Sequence, residues 1–136
     1  MTERVRFPPA AVLVRNFYQV YAAEETKDWW IATEWTQASI MVRVQRIGGR
    51  QINLVTDQPR MLTEVFGPDS STAEDVAIEL AEVTNHLVDD LQIVDGLGSF
   101  HVRRVEWFSG PVLFPDENQR PRAQFSFAFD VRGLVQ

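Results

Sequence analysis

Phe125, Phe127, Phe129 and Val131 alternate with Gln124, Ser126, Ala128 and Asp130. A period of two marks a strand with one buried face. Such a strand needs a second layer to cover its phenylalanines. Val76, Leu80, Val83, Leu87 and Leu91 supply one, because they recur at helical spacing and form an apolar stripe. These two segments already ask for a sheet with helices packed on one face.

The rest of the chain extends that plan. Pro8 and Pro9 suit the first turn of a helix, where a missing N–H costs nothing. Val12, Leu13, Phe17, Val20 and Tyr21 then predict a helix from Pro9 to Glu25. Trp29, Trp30 and Trp35 follow, either as anchors that lock this helix onto the sheet or as an exposed contact for a partner. Ile40, Val42 and Val44 alternate with Met41, Arg43 and Gln45 as a half-buried strand that Gly48 and Gly49 end. Arg50 to Gln58 reads as a loop or an extended hairpin tip. Pro59 argues against a central strand there, since it has no N–H for a ladder. Met61 to Phe66 is the return strand, broken by Gly67-Pro68.

Ser71 with Glu74 has the spacing of a capping box, and the second helix is expected to run from Ser71 to Leu91. Asp75, Glu79, Glu82, His86 and Asp89 share one flank of it. Ala77, Ala81, Thr84 and Val88 share the other, small enough for close approach of the first helix or of a neighbouring subunit. A glycine turn at 95–98 leads to a strand from Phe100 to Phe108, stopped by Gly110-Pro111. Val112 to Arg122 is polar, contains Pro115 and Pro121, and reads as a loop. The end, Gly133 to Gln136, is expected to be loose. The expectation is one α+β domain over residues 1–136, with a mostly antiparallel four-stranded sheet, two main helices on one face and the order α-β-β-α-β-β.

Composition narrows function. The net charge of -6 disfavours simple electrostatic binding of nucleic acid. Residues 1–68 are close to neutral, whereas Asp69 to Asp90 holds seven carboxylates and no Lys or Arg. That split serves either a solvated acidic face or a partner of opposite sign. No apolar run approaches the roughly 20 residues that span a bilayer. The start lacks a signal-peptide pattern, so a cytoplasmic site of synthesis and assembly is expected. Without cysteine there are no disulfides or thiolate metal sites.

Catalytic patterns are missing as well. No GxSxG elbow, phosphate loop or HExxH occurs. His86 near Asp89 and Asp90 lacks the second histidine of a zinc helix, and reads as an exposed histidine among acids. His101 falls opposite Val102 in its strand, towards solvent or a subunit contact. Asp116-Glu117-Asn118 reads as a solvated turn rather than a cation loop. Neither an enzyme nor a metal or cofactor protein is expected.

Three pieces in order carry a family resemblance. The first is Arg46-Ile47-Gly48-Gly49, then Val55-Thr56-Asp57, Pro59-Arg60 and Val65-Phe66-Gly67. The second is the acid- and alanine-rich helix after Ser71. The third is Val105-Glu106, Gly110-Pro111, Phe114-Pro115-Asp116 and Arg120-Pro121-Arg122 before the phenylalanine strand. In size and order this resembles the tail terminator family of long-tailed bacteriophages. The resemblance implies a structural protein of the virion: a homohexameric ring that caps the tail tube, ends its polymerisation and joins tail to head through a neck protein. The resemblance is weakest over the first 38 residues, where Trp29, Trp30, Trp35 and the Arg4–Phe7 segment have no counterpart in it.

Carried onto this chain, the ring suggests a head-to-tail contact between basic Arg43, Arg46, Arg50 and Arg60 and acidic Asp75, Glu79 and Glu82 of the next copy. Two excursions are expected to protrude towards tube or neck. One offers Ile52, Asn53, Leu54 and Asp57, and the other Leu113, Phe114, Asp116, Arg120 and Arg122. Their apolar members either anchor a partner or tuck under their own loops. The alternatives are another neck component, a head-closure or adaptor protein, and a small ligand-binding α+β domain.

Overall fold

A computed structural model describes residues 4–34 and 38–135. In chain order the elements are β1 (Val5–Arg6), α1 (Ala10–Glu24), β2 (Trp30–Ala32), β3 (Met41–Asn53), β4 (Thr56–Phe66) and α2 (Ser70–Thr84). A short 3-10 helix, Asn85–Val88, continues from α2. Then come β5 (Gln92–Val94), β6 (Gly98–Phe100), β7 (Val102–Leu113), β8 (Arg122–Arg132) and β9 (Leu134–Val135).

The main sheet has five strands in the order β2-β3-β4-β8-β7. All neighbours are antiparallel except β2 and β3, which are parallel. The expected four-stranded sheet and its α-β-β-α-β-β order are therefore corrected to an α+β fold with a mixed five-stranded sheet. The added strand is three residues long, too short to show alternation. It is held by Ile31, which is buried, and by the Gln19 amide, which donates to the Ile31 carbonyl at 2.9 Å. Two further ribbons, β1 with β9 and β5 with β6, were also invisible at that length. The supposedly loose end is thus paired at Leu134 and Val135 with Arg6 and Val5, and Gln136 lies outside the described residues.

Register places Val44, Thr63 and Phe125 side by side, and likewise Met61 and Phe127. This face is buried together with Leu13, Val14 and Tyr18 of α1 and Ala73, Ala77 and Leu80 of α2. Both helices thus lie over the phenylalanine face. The small residues Ala77 and Ala81 turn inward, which lets α2 approach bulky Phe125 and Phe127 closely. Tyr18 ties the layers together: its hydroxyl lies 3.3 Å from the Thr63 hydroxyl and 2.7 Å from that of Thr84. Burial pushes the Tyr18 phenol up to about 12.

The second helix differs from expectation at both ends. Asp69 caps it, accepting from the Thr72 N–H at 2.7 Å, so Ser71 is already inside the helix and the Ser71–Glu74 box is not the cap. That bond holds the Asp69 carboxyl below its usual range. The α-helix stops at Thr84 and tightens to the 3-10 helix. The 3-10 helix keeps Leu87 in the core but ends at Val88, so Leu91 lies beyond the helix that was to place it in the stripe and is exposed.

Candidate functional site

Two hairpins dominate the sheet, and each contains a glycine bulge where the sequence suggested a strand end. In β3 the pairing shifts between Arg46 and Gly48, and Gly49 has φ +86°. A Cβ there would lie 2.0 Å from the Gln58 carbonyl oxygen, so only glycine fits. The strand then continues to Asn53, and the turn is Leu54-Val55. Asn53 Oδ1 accepts the Val55 N–H at 3.0 Å. Of the two readings offered by sequence, the extended tip is the one adopted.

Pro59 is a correction: it sits in β4, an inner strand paired on both sides. It is tolerated because the pairing to β8 passes from Asp57 to Arg60 and makes no use of a Pro59 N–H. The hairpin end is pinned in the sheet plane. Thr56 pairs with Arg132, and the Gly133 N–H donates to the Val55 carbonyl at 2.8 Å. Ile47, Ile52 and Leu54 stay exposed, Leu54 at 81%.

The second hairpin behaves differently. β7 does not stop at Gly110-Pro111 but runs to Leu113. Gly110 has φ +80°, and a Cβ on it would lie 2.4 Å from the Gln124 carbonyl oxygen. The connection is then folded onto its own sheet. Asp116 Oδ1 accepts the N–H groups of Asn118 at 3.0 Å and Arg120 at 2.7 Å. The Arg120 guanidinium lies over the Phe66 ring at 4.9 Å, and Arg122 over Phe114 at 5.5 Å. Arg122 also reaches Glu64 at 3.0 Å, on the helix-free face. Glu64 is 2% exposed and accepts from Arg43 at 2.6 Å and Gln45 at 2.9 Å as well. Leu113 and Phe114 remain exposed beside this knot.

The charged residues singled out by sequence are thus placed unequally. Arg43 is engaged by Glu64, and Arg46 forks onto buried Asp57 at 2.7 and 3.0 Å. Arg60 lies over Phe108 at 4.2 Å. Arg50 is exposed and makes no ion pair among the described residues. Glu79 accepts from the Tyr21 hydroxyl and lies 3.4 Å from Lys27, which leaves Asp75 and Glu82 as the exposed members of the acidic set. The Glu79 bond, above all, pushes Tyr21 up to about 12.

Trp29 stacks on Tyr21 at 6.2 Å, as an anchor would, whereas Trp30 is exposed; Trp35 lies outside the described residues. His86 pairs with Asp89 at 2.7 Å on the surface, and His101 is exposed. Among the described residues no group of His, Asp or Glu converges as metal ligands would. Among the described residues no helix is long and apolar enough to cross a membrane.

One surface was missed by sequence. Between α1 and the segment after α2 runs a groove of about 540 Å³, with Val20, Leu91 and Ile93 exposed along it. The sequence pattern puts Val20 and Leu91 on apolar helix stripes. The signal that was present is the acid pair Asp89-Asp90 immediately before Leu91, an unusual setting for a core position. No family model matches the chain, and no curated protein matches it.

Proposed function

We propose that this protein is a structural assembly subunit that forms a homohexameric ring at the head-proximal end of a phage tail, capping the tube and joining it to the neck. The ordered sequence resemblance motivates this reading. The observation that carries it is the β3–β4 hairpin, a rigid, sheet-supported arm that offers Leu54, Ile52 and Arg50 to solvent. Exposed apolar side chains on a preorganised element mark a protein contact at low ordering cost. The role needs no chemistry: the buried carboxylates Asp57 and Glu64 are neutralised by arginines, as structural groups are.

Of the residues first assigned to tube or neck, Ile52, Asn53, Leu54, Leu113 and Phe114 are available at the surface. Asp57, Asp116, Arg120 and Arg122 instead hold the hairpins in shape. The test is to add the purified protein to polymerising tail-tube subunits and measure tube length by electron microscopy. Tubes should stop growing and carry a ring at one end. Binding to filled heads without any effect on tubes would instead identify a head-closure protein.

A further inference from the structure

The groove on the helix layer is apolar within and acidic at its rim. Val20, Leu91 and Ile93 are 57%, 60% and 64% exposed along it. Glu24, Asp89 and Asp90 line it too, and no Lys or Arg does among the described residues. Asp89 is shared with His86, whereas Glu24 and Asp90 make no ion pair among the described residues. A complementary occupant is apolar at its tip and positively charged beside it.

This chain carries such an element. Residues 47–56 contain Arg50 and no acid, and they present Ile47, Ile52 and Leu54 to solvent; Arg46 beside them is taken up by Asp57. The other hairpin is the wrong match: its tip holds Asp116 and Glu117 and is folded onto its own sheet. We propose that the β3–β4 hairpin of a second copy docks in the groove, with Leu54 against Val20, Leu91 and Ile93 and Arg50 facing Glu24 and Asp90.

A molecule cannot fill its own groove this way. Its hairpin is pinned in the sheet plane by the Val55–Gly133 bond and the Thr56–Arg132 pairing, while the groove opens on the helix layer. Donor and acceptor are different surfaces, so the contact is heterologous and repeats from copy to copy, closing into a ring when the rotation closes. The proposal deepens the ring reading and rests on it for that closure. It also replaces the expected partners: Glu79 is engaged within the subunit, and the acids used are those of the groove.

The chain has no cysteine, so introduced thiols report without background. Leu54→Cys and Leu91→Cys proteins, one carrying a mass tag, are mixed and oxidised; a covalent heterodimer is expected. Leu54→Cys with Ile78→Cys, on the exposed side of α2, should give none. Arg50→Glu in the Leu54→Cys protein should cut the yield about tenfold, and Asp90→Arg in its partner should restore it. Equal yields at Leu91 and Ile78, or no heterodimer at either, would overturn the docking contact. Tube capping by the native protein is scored separately. Capping without the Leu54–Leu91 cross-link discards the contact and keeps the cap, and cross-linking without capping does the reverse.

Discussion

The two hairpins share a design and divide in use. Each has a glycine bulge midway, at Gly49 and at Gly110, and each pairs with the other through β4 and β8. The β7–β8 connection spends its polar groups on itself: Asp116 gathers backbone N–H groups, Arg120 and Arg122 cover Phe66, and Arg122 reaches Glu64. The β3–β4 turn is two residues long and leaves Leu54 uncovered, with Arg50 in no ion pair among the described residues. A hairpin whose side chains are satisfied at home contributes stability. One held rigid by its backbone, with its tip unsatisfied, is suited to a partner.

Substitutions should separate these roles. The largest effect is expected at Glu64, where alanine leaves Arg43 and Arg122 facing each other across a buried site. A loss of about 3 kcal/mol in urea unfolding is expected. A loss below 1 kcal/mol would mean that the helix-free face is not held by this knot.

Alkaline pH acts next, on the core beneath both hairpins. The Tyr18 phenol titrates near 12 when folded, against about 10 unfolded, so its neutral form is favoured by the fold. Its contribution is complete below pH 10 and disappears as pH rises towards 12, a change of about 2–3 kcal/mol. Tyr21 acts in the same direction. Thermal melts across that range should show the fall, and Tyr18→Phe should make it shallower. An unchanged slope in Tyr18→Phe would contradict the assignment.

Smaller still is Asp116→Ala. Losing the acceptor of two turn N–H groups should lower stability by about 1 kcal/mol and speed amide exchange at Asn118 and Arg120 only. Exchange that also spreads along β4 would mean the turn is not a local unit. Leu54→Glu should change stability least, by less than about 0.5 kcal/mol, because that side chain is already 81% exposed.

How far the sequence reveals this division depends on range. The phenylalanine alternation of β8 is a local pattern, and the strand is where it was read. Glycine is ambiguous, because one that ends a strand and one that bulges it look alike until the partner strand is known. Gly48-Gly49 and Gly110-Pro111 were both read as ends for that reason. Pro59 was set outside a central strand by a sound rule, but the β8 pairing leaves a gap opposite it. The signs of Arg43, Arg46 and Asp57 were legible, but their pairing arises from register across strands. The groove was hidden because the helix ends at Val88 rather than Leu91, which leaves Leu91 outside it and exposed beside the exposed Val20 of α1.

The measurement closest to the central claim is light scattering on the native protein and Leu54→Glu side by side, with melting curves of the same samples. A closed oligomer is expected for the native chain and a monomer for Leu54→Glu, with matching melting temperatures. Equal oligomers in both samples would show that the β3–β4 tip is not the arm that joins one copy to the next.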